Sequence, residues 1–524
     1  MSWLADASAN KIVKSYIKDF VDVSGNFKVR NEVTATTTTN AGPVSWSQLG
    51  SDIDYDNSND KTGYDVSISS DGTRIVVGSV HAGVSNQGVI RIYEWNGSSW
   101  SQLGSNIYGV TPDHLGWSVS ISKDGTTVAA GGRFSKHIHT NQGVARIYKW
   151  NGSSWIQMGS DIFGQSNSDH LGTSVSLNND GSIVAISAPW DDNNGTESGA
   201  VTVYEYSGSS WSQLGSIING ESSTDRSGWD VSLSSDGTIL AIGANTNDGN
   251  GSNSGHARVY EYSGSSWSQM GADIDGESGG DESGYAVSLS SDGTIVAIGA
   301  IKNDGGGGDS GHTRVYEYNG SSWTQVGGDI DGEAGGDAAG SSVSLSNDGT
   351  ILAIGAKFND GNGGNSGHAR IYEYDGSSWS QQGADIDGTS GSEFGRSLSL
   401  SGDGSTMVVG GWRGSYAQVY NKTGGITTVT TYTSVDTMDV SGGIVSFVTN
   451  TMNIEDGTVD ISGTTWINQG QSGASIASSN QGAFIVESAG TSSSNAVVYV
   501  ETAGQTEAFS IRENGDLYSA NALQ

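Results

Sequence analysis

Residues 267–322 read WSQMGADIDGESGGDESGYAVSLSSDGTIVAIGAIKNDGGGGDSGHTRVYEYNGSS, and near-copies of this stretch fill most of the chain. Each copy opens on a tryptophan, and successive openings lie 54, 55, 56, 56, 56 and 56 residues apart. A nearly constant period of this length is typical of proteins built from repeated structural units. The opening residues are Trp46, Trp100, Trp155, Trp211, Trp267, Trp323 and Trp379.

Each copy contains four short segments with the pattern of β-strands. YAVSLS (285–290) and HTRVYEY (312–318) alternate apolar and polar residues, and TIVAIGA (294–300) is a β-branched run. The Trp phrase is the fourth segment, and the turns SDG and NGSS separate neighbours. Because no helical period occurs in the repeats, the unit predicts one antiparallel blade of a β-propeller. A straight solenoid is the alternative, but radial packing covers the strand edges better.

The phase of the repeat predicts how the ring closes. Seven sets of the first three strands run from about residue 63 to residue 420, but no Trp phrase follows the last set. We therefore expect VSWSQLG (44–50) to supply the outermost strand of the seventh blade. The alternative is that Trp46 only packs at an edge.

The composition excludes several classes of protein. The chain has 524 residues, with 80 Gly, 3 Pro, no Cys and a net charge of −34. Without cysteine there is no disulfide scaffold, Cys-ligated zinc or thiol catalysis. The acidic balance argues against a nucleic-acid partner, and no apolar run is long enough to span a membrane. The 15 Trp and 20 Tyr argue against disorder, because they can build a core.

Two acidic loops carry the candidate chemistry. Residues 273–282 and 329–337 place many carboxylates on glycine-rich backbone, an arrangement that suits Ca²⁺. The alternative is a solvated acidic loop that only favours solubility, so no cofactor is required and Ca²⁺ is a candidate. The candidate ligands are Asp273, Asp275, Glu277, Asp281, Asp329, Asp331, Glu333 and Asp337.

A second loop series carries one histidine per copy, followed two residues later by an arginine. Since each copy is a separate blade, these histidines are too dispersed to share one metal ion. We expect them to pack or form hydrogen bonds within their own blades. The pairs are His256 with Arg258, His312 with Arg314, and His368 with Arg370.

The segment HLGWSVSISKDGTTVAAGG (114–132), continued by NQGVARIYKW (141–150), resembles the FG-GAP repeat of integrin-alpha propellers. The resemblance covers about residues 46–420, roughly 70% of the chain. The repeat is also similar to arrays in proteins of marine microbes, algae and their large viruses. It implies a seven-bladed propeller. FG-GAP propellers often hold calcium in a D-x-D-x-D-G loop, but the turns SSDGT, SKDGT, NNDGS and SNDGT carry one carboxylate each, so calcium is not expected there.

The two ends of the chain lie outside the repeats, which gives three predicted parts: 1–43, 44–422 and 423–524. We expect residues 1–43 to form an anchor, with an amphipathic helix carrying Ile12, Val13, Tyr16, Ile17 and Phe20, a strand pair turning at Gly25–Asn26, and a linker. That helix either docks on a partner or trimerises, or packs beneath the propeller. Residues 423–524 read as short strands too poor in apolar residues to bury a core alone. Their texture resembles the shafts and tips of trimeric phage and viral fibres, which implies a homotrimer through the terminal segments.

These features together predict a structural protein and not an enzyme. No Ser-His-Asp grouping stands out, and near-identical acidic loops single out no acid–base pair. The composition is typical of an extracellular protein, yet no export signal is recognised, and a virion surface protein assembled in the host cytoplasm fits both. We expect a fibre or spike whose propeller head attaches to other virion proteins or to a host-surface protein or glycan. The alternatives are a non-viral secreted or cell-surface adhesin of a marine microbe and, less favoured, a glycan-processing enzyme.

Overall fold

The computed structural model describes residues 43–424 except 55, 56 and 58, and of the flanking ends it describes only the backbone of short strands. The chain divides into two units, residues 43–423 and the two ends together. Within 43–424 every regular element is a strand. No helix among the described residues is long and apolar enough to cross a bilayer.

Residues 43–423 form seven antiparallel sheets of four strands, each with a short fifth strand beside the third. The inner strand of every blade contacts the inner strands of the blades before and after it, and the seventh contacts the first, so the sheets form a closed ring. The seven-bladed, all-β prediction is therefore confirmed.

The strands occupy the same places in every blade. The inner strands are Thr62–Ile68, Ser118–Ile121, Val175–Leu177, Val231–Leu233, Ser283–Leu289, Ala339–Leu345 and Phe394–Leu400. The second strands are Arg74–Ser79, Thr127–Gly132, Ile183–Ala188, Ile239–Ala244, Ile295–Ala300, Ile351–Ala356 and Thr406–Gly411. The third strands are Val89–Trp95, Val144–Trp150, Ala200–Tyr206, His256–Tyr262, His312–Tyr318, His368–Tyr374 and Tyr416–Thr423. The outer strands are Trp100–Gln102, Trp155–Gln157, Trp211–Gln213, Trp267–Gln269, Trp323–Gln325, Trp379–Gln381 and Ser45–Gln48. The short fifth strands are Ile107–Tyr108, Ile162–Phe163, Ile218–Asn219, Ile274–Asp275, Ile330–Asp331, Ile386–Asp387 and Ile53–Asp54.

The ring closes as the repeat phase predicts. Ser45–Gln48 pairs antiparallel with the third strand of the seventh blade, with Gln48 opposite Tyr420 and Ser45 opposite Thr423. The Ser45 and Thr423 hydroxyl oxygens lie 2.8 Å apart, and the amide of Leu49 donates to the carbonyl of Val419 at 2.7 Å. The first strand of the propeller is thus the outer strand of the last blade.

The tryptophans of the repeat link each blade to the one before it. Every indole N–H donates to the main-chain carbonyl that follows the outer strand of the preceding blade, at 2.7–3.0 Å. Trp46 takes part by donating to Gln382 at 3.0 Å, so it is a full member of the series and not an edge residue. Each Trp is half-buried, because its indole covers the gap between two outer strands.

The hydrophobic core lies between blades, in seven separate clusters. One cluster joins Ala241 and Val259 of the fourth blade to Leu289 and Ile298 of the fifth. The second strands are buried on both faces, which explains their unbroken apolar sequence. The Gly-Ala at their ends permits a close approach: a Cβ on Gly299 would lie 2.1 Å from the carbonyl oxygen of Gly340 in the next blade.

The Asp-Gly hairpins between inner and second strands bind their own backbone. In each, the aspartate side chain accepts a hydrogen bond from the backbone amide of the residue two positions later, at 2.9–3.0 Å. In the first blade the Ser69 hydroxyl also donates to Asp71 at 2.6 Å. With one carboxylate per turn already engaged, these hairpins stabilise the turn.

Serine side chains join the inner strands around the ring. In every blade the Oγ of one inner-strand serine accepts the amide proton of an apolar residue in the next blade, at 3.0–3.3 Å. The serines are Ser67, Ser120, Ser176, Ser232, Ser288, Ser344 and Ser399. These bonds satisfy amides that the sheet itself leaves unpaired.

The terminal unit contains strands where the sequence predicts other structure. The backbone of Lys11–Lys14, within the predicted helix, pairs with the predicted linker Thr34–Asn40. β-Branched Ile12 and Val13 and the run of threonines favour the extended form. Tyr16, Ile17, Phe20 and the turn at Gly25–Asn26 lie outside the described residues. The other end strands are Ala5–Asp6, Phe27–Arg30, Ile426–Tyr432, Thr437–Ser441, Thr458–Ser462, Ala474–Ala477, Ala483–Glu487, Ala496–Thr502, Gln505–Ile511 and Leu517–Ser519.

The closing strand generates a stability prediction. Trp46→Ala should lower the free energy of unfolding by about 2–4 kcal/mol, because it removes a half-buried aromatic from the interface of the sixth and seventh blades. The loss should be at least as large as for Trp211→Ala, whose strand is held in its blade by a short covalent hairpin. Denaturant melts measure both, with the exposed neighbour Ser47→Ala as control. Melting of Trp46→Ala like the wild type would show that closure contributes nothing.

Candidate functional site

The predicted calcium ligands do not gather around one ion. The Asp281 carboxylate accepts hydrogen bonds from the Ser278 amide at 3.0 Å and from the Asn303 side chain at 3.1 Å. Asp337 repeats the arrangement one blade later, with the Ala334 amide and Asn359. These two carboxylates therefore fix their own loops.

The other six predicted ligands lie elsewhere in each repeat. Asp275 and Asp331 lie on the short fifth strands, opposite the first residue of the third strand. Asp273, Glu277, Asp329 and Glu333 lie beside the three histidines, in groups whose ligand atoms are within 4.8 Å of one another. The groups are Glu221–His256–Asp273, Glu277–His312–Asp329 and Glu333–His368–Asp385.

These three histidines lie in three different blades, as the sequence predicts, and two carboxylates lie beside each of them. Sequence reasoning missed Glu221 and Asp385, because each cluster takes its glutamate from the loop that precedes the blade and its aspartate from the segment between the outer and fifth strands of the blade. Pairing each histidine with the glutamate of its own copy and the aspartate of the next copy is the signal that identifies them.

The inner strands enclose a second candidate site, a cavity of about 480 Å³ on the axis of the ring. Seven residues, one from each blade, surround one end of this cavity, which we call the mouth. Each of them follows the glycine that opens the inner-strand motif. The copies differ at this position, whereas the glycine before it is present in all seven. The seven mouth residues are Tyr64, Trp117, Thr173, Trp229, Tyr285, Ser341 and Arg396.

The end of the cavity opposite the mouth is obstructed. Lys123 of the second blade reaches across to the fifth and sixth blades, and its Nζ donates to Ser291 Oγ at 3.0 Å and Asn347 Oδ1 at 2.8 Å. Burial lowers the pKa of Lys123 to about 8. The lysine and the Asp-Gly hairpins around it therefore form a floor, and the mouth is the open end.

Aromatic side chains line most of the mouth in a continuous arc. Successive ring centroids are 4.6–5.6 Å apart, within the range of favourable aromatic contacts. The arc runs through Trp412, Tyr64, Trp117, Phe134, His170, Trp190, Trp229 and Tyr285. It spans the seventh, first, second, third, fourth and fifth blades and is interrupted at the sixth, where the mouth residue is Ser341.

Three cations lie on this aromatic arc. The Arg133 guanidinium lies between Trp117 and Trp190, at 4.4 and 4.3 Å from their ring centroids. Arg396 lies 4.0 Å from the Tyr64 ring, and Lys357 donates to the Tyr285 hydroxyl at 2.9 Å. Although burial opposes ionisation, Lys357 and Arg396 bring the pKa of Tyr285 below its ordinary value. Three cationic side chains are thus concentrated at the mouth of a strongly acidic protein.

Two aspartates lie just inside the mouth. The Asp65 carboxylate accepts hydrogen bonds from the Val119 amide and from the Ser397 hydroxyl of the seventh blade. Asp230 accepts from the Val287 amide at 2.8 Å and from Ser174. Burial raises the pKa of both, that of Asp230 to about 6. Each aspartate links its own blade to both neighbouring blades, so the pair helps to hold the inner strands together at the mouth.

Asp230 generates a pH prediction. Its folded-state pKa of about 6 exceeds the ordinary 3.8, so the folded protein binds this proton more tightly and stability falls as pH rises through about 6. Asp230→Asn, which cannot ionise, should therefore raise Tm relative to the wild type at about pH 7.5 and change it little at about pH 4.5. Thermal melts across this range measure the difference, with the exposed carboxylate Glu261→Gln as control. An equal effect at both pH values would contradict the assignment.

Comparison with known proteins identifies the repeat. Residues 162–204 and 211–260 match the family model described as FG-GAP repeat. They run from the short fifth strand of the second blade to the third strand of the fourth. No curated protein matches the sequence. The chain therefore carries FG-GAP repeats in a seven-bladed, integrin-like β-propeller, a structure that fits an adhesion or surface-binding role.

Proposed function

We propose that the protein attaches to a surface through the mouth of the propeller, and that the ligand is an acidic glycan. The observation that carries the proposal is the arc of aromatic rings with three cations on it. Sugars present apolar C–H faces that pack on aromatic rings, and their carboxylate or sulfate groups pair with guanidinium. A cavity of about 480 Å³ is within the size range of ligand pockets.

The arginines of the mouth have donors to spare. At the edge of the arc, Arg226 and Arg413 are paired with Glu197 and Glu393. In contrast, the buried Nε atoms of Arg133 and Arg396 have no hydrogen-bond partner among the described residues. A buried donor without a partner is unfavourable, and an acidic ligand in the mouth would satisfy it.

The proposal predicts selective binding that depends on the mouth. Arg133→Gln and Trp229→Ala should each weaken binding to sialylated, uronic-acid or sulfated glycans about 10- to 100-fold, as central interface residues do. A glycan array followed by titration of the best ligand measures this, with the exposed cation Lys149→Gln as control. Binding by both variants equal to that of the wild type would refute the mouth as the site. The proposed role is binding without turnover, so the ligand should be recovered unchanged.

We further propose that the propeller is the head of a virion fibre or spike, with the terminal segments as a trimeric stem and attachment to other virion proteins. Because Ser45 pairs with Thr423, the chain enters and leaves the propeller at one place, which suits a single stem. The strand-rich texture of the end sequences supports the same role. A surface adhesin of a non-viral microbe is the alternative, with an extracellular or cell-surface location.

Two measurements separate these alternatives. Mass spectrometry of purified virions should detect the chain in particles, and its absence from them would favour the adhesin. Light scattering should give three times the chain mass of 54.0 kDa, and a monomer would refute the trimeric stem.

A further inference from the structure

The histidine–carboxylate clusters of the fifth and sixth blades have the chemistry of metal sites. We propose that Glu277–His312–Asp329 and Glu333–His368–Asp385 each bind a divalent transition-metal ion, for which Zn²⁺ is the probe. In each, the histidine begins the third strand, the aspartate follows the outer strand of the same blade, and the glutamate comes from the loop that precedes the blade. The ion would therefore connect structural elements contributed by consecutive repeats.

The histidines are buried and lack partners. His312 and His368 are each 1% exposed, and neither ring nitrogen of either residue has a hydrogen-bond partner among the described residues. Leaving such polar atoms buried and unsatisfied is costly. A ring nitrogen of a neutral imidazole that has no hydrogen-bond partner can donate its lone pair to a metal ion.

The carboxylates leave one face open toward the imidazole. Gln325 and Gln381 donate to one oxygen of Asp329 and of Asp385, at 2.6 and 2.7 Å. The other oxygen of Asp385 lies 3.7 Å from His368 Nδ1, and a Glu277 oxygen lies 3.9 Å from His312 Nδ1. Two carboxylates facing each other favour a cation between them.

The separations suit a small ion. Metal–ligand bonds of about 2.0–2.2 Å in tetrahedral geometry place neighbouring ligand atoms roughly 3.3–3.6 Å apart. The observed 3.7 and 3.9 Å need only small movements of the half-buried Asp385 and the exposed Glu277. Calcium prefers six to eight oxygen ligands at about 2.3–2.6 Å, so a nitrogen ligand with two carboxylates favours zinc over calcium.

The fourth blade differs in the position of its arginine. Arg258 contacts both carboxylates of its cluster, Glu221 and Asp273, and so occupies the place of the cation. In the next two blades the equivalent Arg314 and Arg370 donate to the main-chain carbonyls of Asp275 and Asp331, at 2.8 and 3.0 Å. Each also lies near the glutamate of its cluster, at 3.6 Å from Glu277 and 3.5 Å from Glu333, but forms no ion pair with the aspartate among the described residues. We therefore assign sites to the fifth and sixth blades and expect much weaker binding in the fourth.

The test is titration of the chelator-treated full chain with Zn²⁺, followed by calorimetry and thermal melting. We expect two tight equivalents and an increase in Tm, whereas Ca²⁺ in parallel should produce neither. His312→Ala and His368→Ala should each remove one equivalent, and the double variant should remove both. The exposed His137→Ala is the matched control and should keep both.

A second pair of variants covers the case in which a histidine change disturbs the core. Glu277→Gln and Glu333→Gln alter exposed side chains, so folding should be unchanged while Zn²⁺ affinity falls at least tenfold at the affected site. Failure of the wild type to bind Zn²⁺, or unchanged stoichiometry in the double histidine variant, would overturn the proposal. Glycan binding at the mouth is measured separately, so the two proposals can fail independently.

Discussion

Closure of the ring depends on one short noncovalent pairing, between Ser45–Gln48 and the third strand of the seventh blade. Without it, the third strand of the seventh blade would be an exposed edge, and the core cluster shared by the first and seventh blades would lose Ile53 and the packing of Leu49. Six other blades hold their outer strands by tight hairpins within the same copy. The closing strand has no such covalent link, so the Trp46 indole and the ladder of backbone bonds must hold it in register.

Within the closed ring, the chain separates stability from recognition. The Trp and Ser positions repeat in every copy because each makes the same contact with its neighbouring blade, and the Asp-Gly positions repeat because each stabilises the same turn. Variation is concentrated where inner strands begin, around the mouth, because a residue there faces the cavity and has no equivalent partner to satisfy. A rigid repeated frame can therefore present an irregular set of rings and charges without strain in the core.

The sequence allowed the ring and its closure to be predicted, because the Trp period and the count of third strands depend only on local patterns. The mouth was not predicted, because Tyr64, Trp117 and Trp229 are far apart in sequence and stand where the copies disagree. Asp281 illustrates a second limit: the sequence marks it as an acidic loop residue but does not show that it accepts hydrogen bonds from its own loop. The histidine clusters escaped because their ligands cross repeat boundaries, which a copy-by-copy analysis divides.

The position of the chain ends has a mechanical consequence. Strand Ser45–Gln48 begins where strand Tyr416–Thr423 ends, so the chain segments before Ser45 and after Thr423 leave the propeller from paired residues. We call these two segments the tethers. A load that pulls both tethers in the same direction acts on two adjacent strands in parallel and does not separate them. Forces that pull the tethers apart would instead peel the closing strand away one hydrogen bond at a time, which requires far less force than shearing the whole ladder at once.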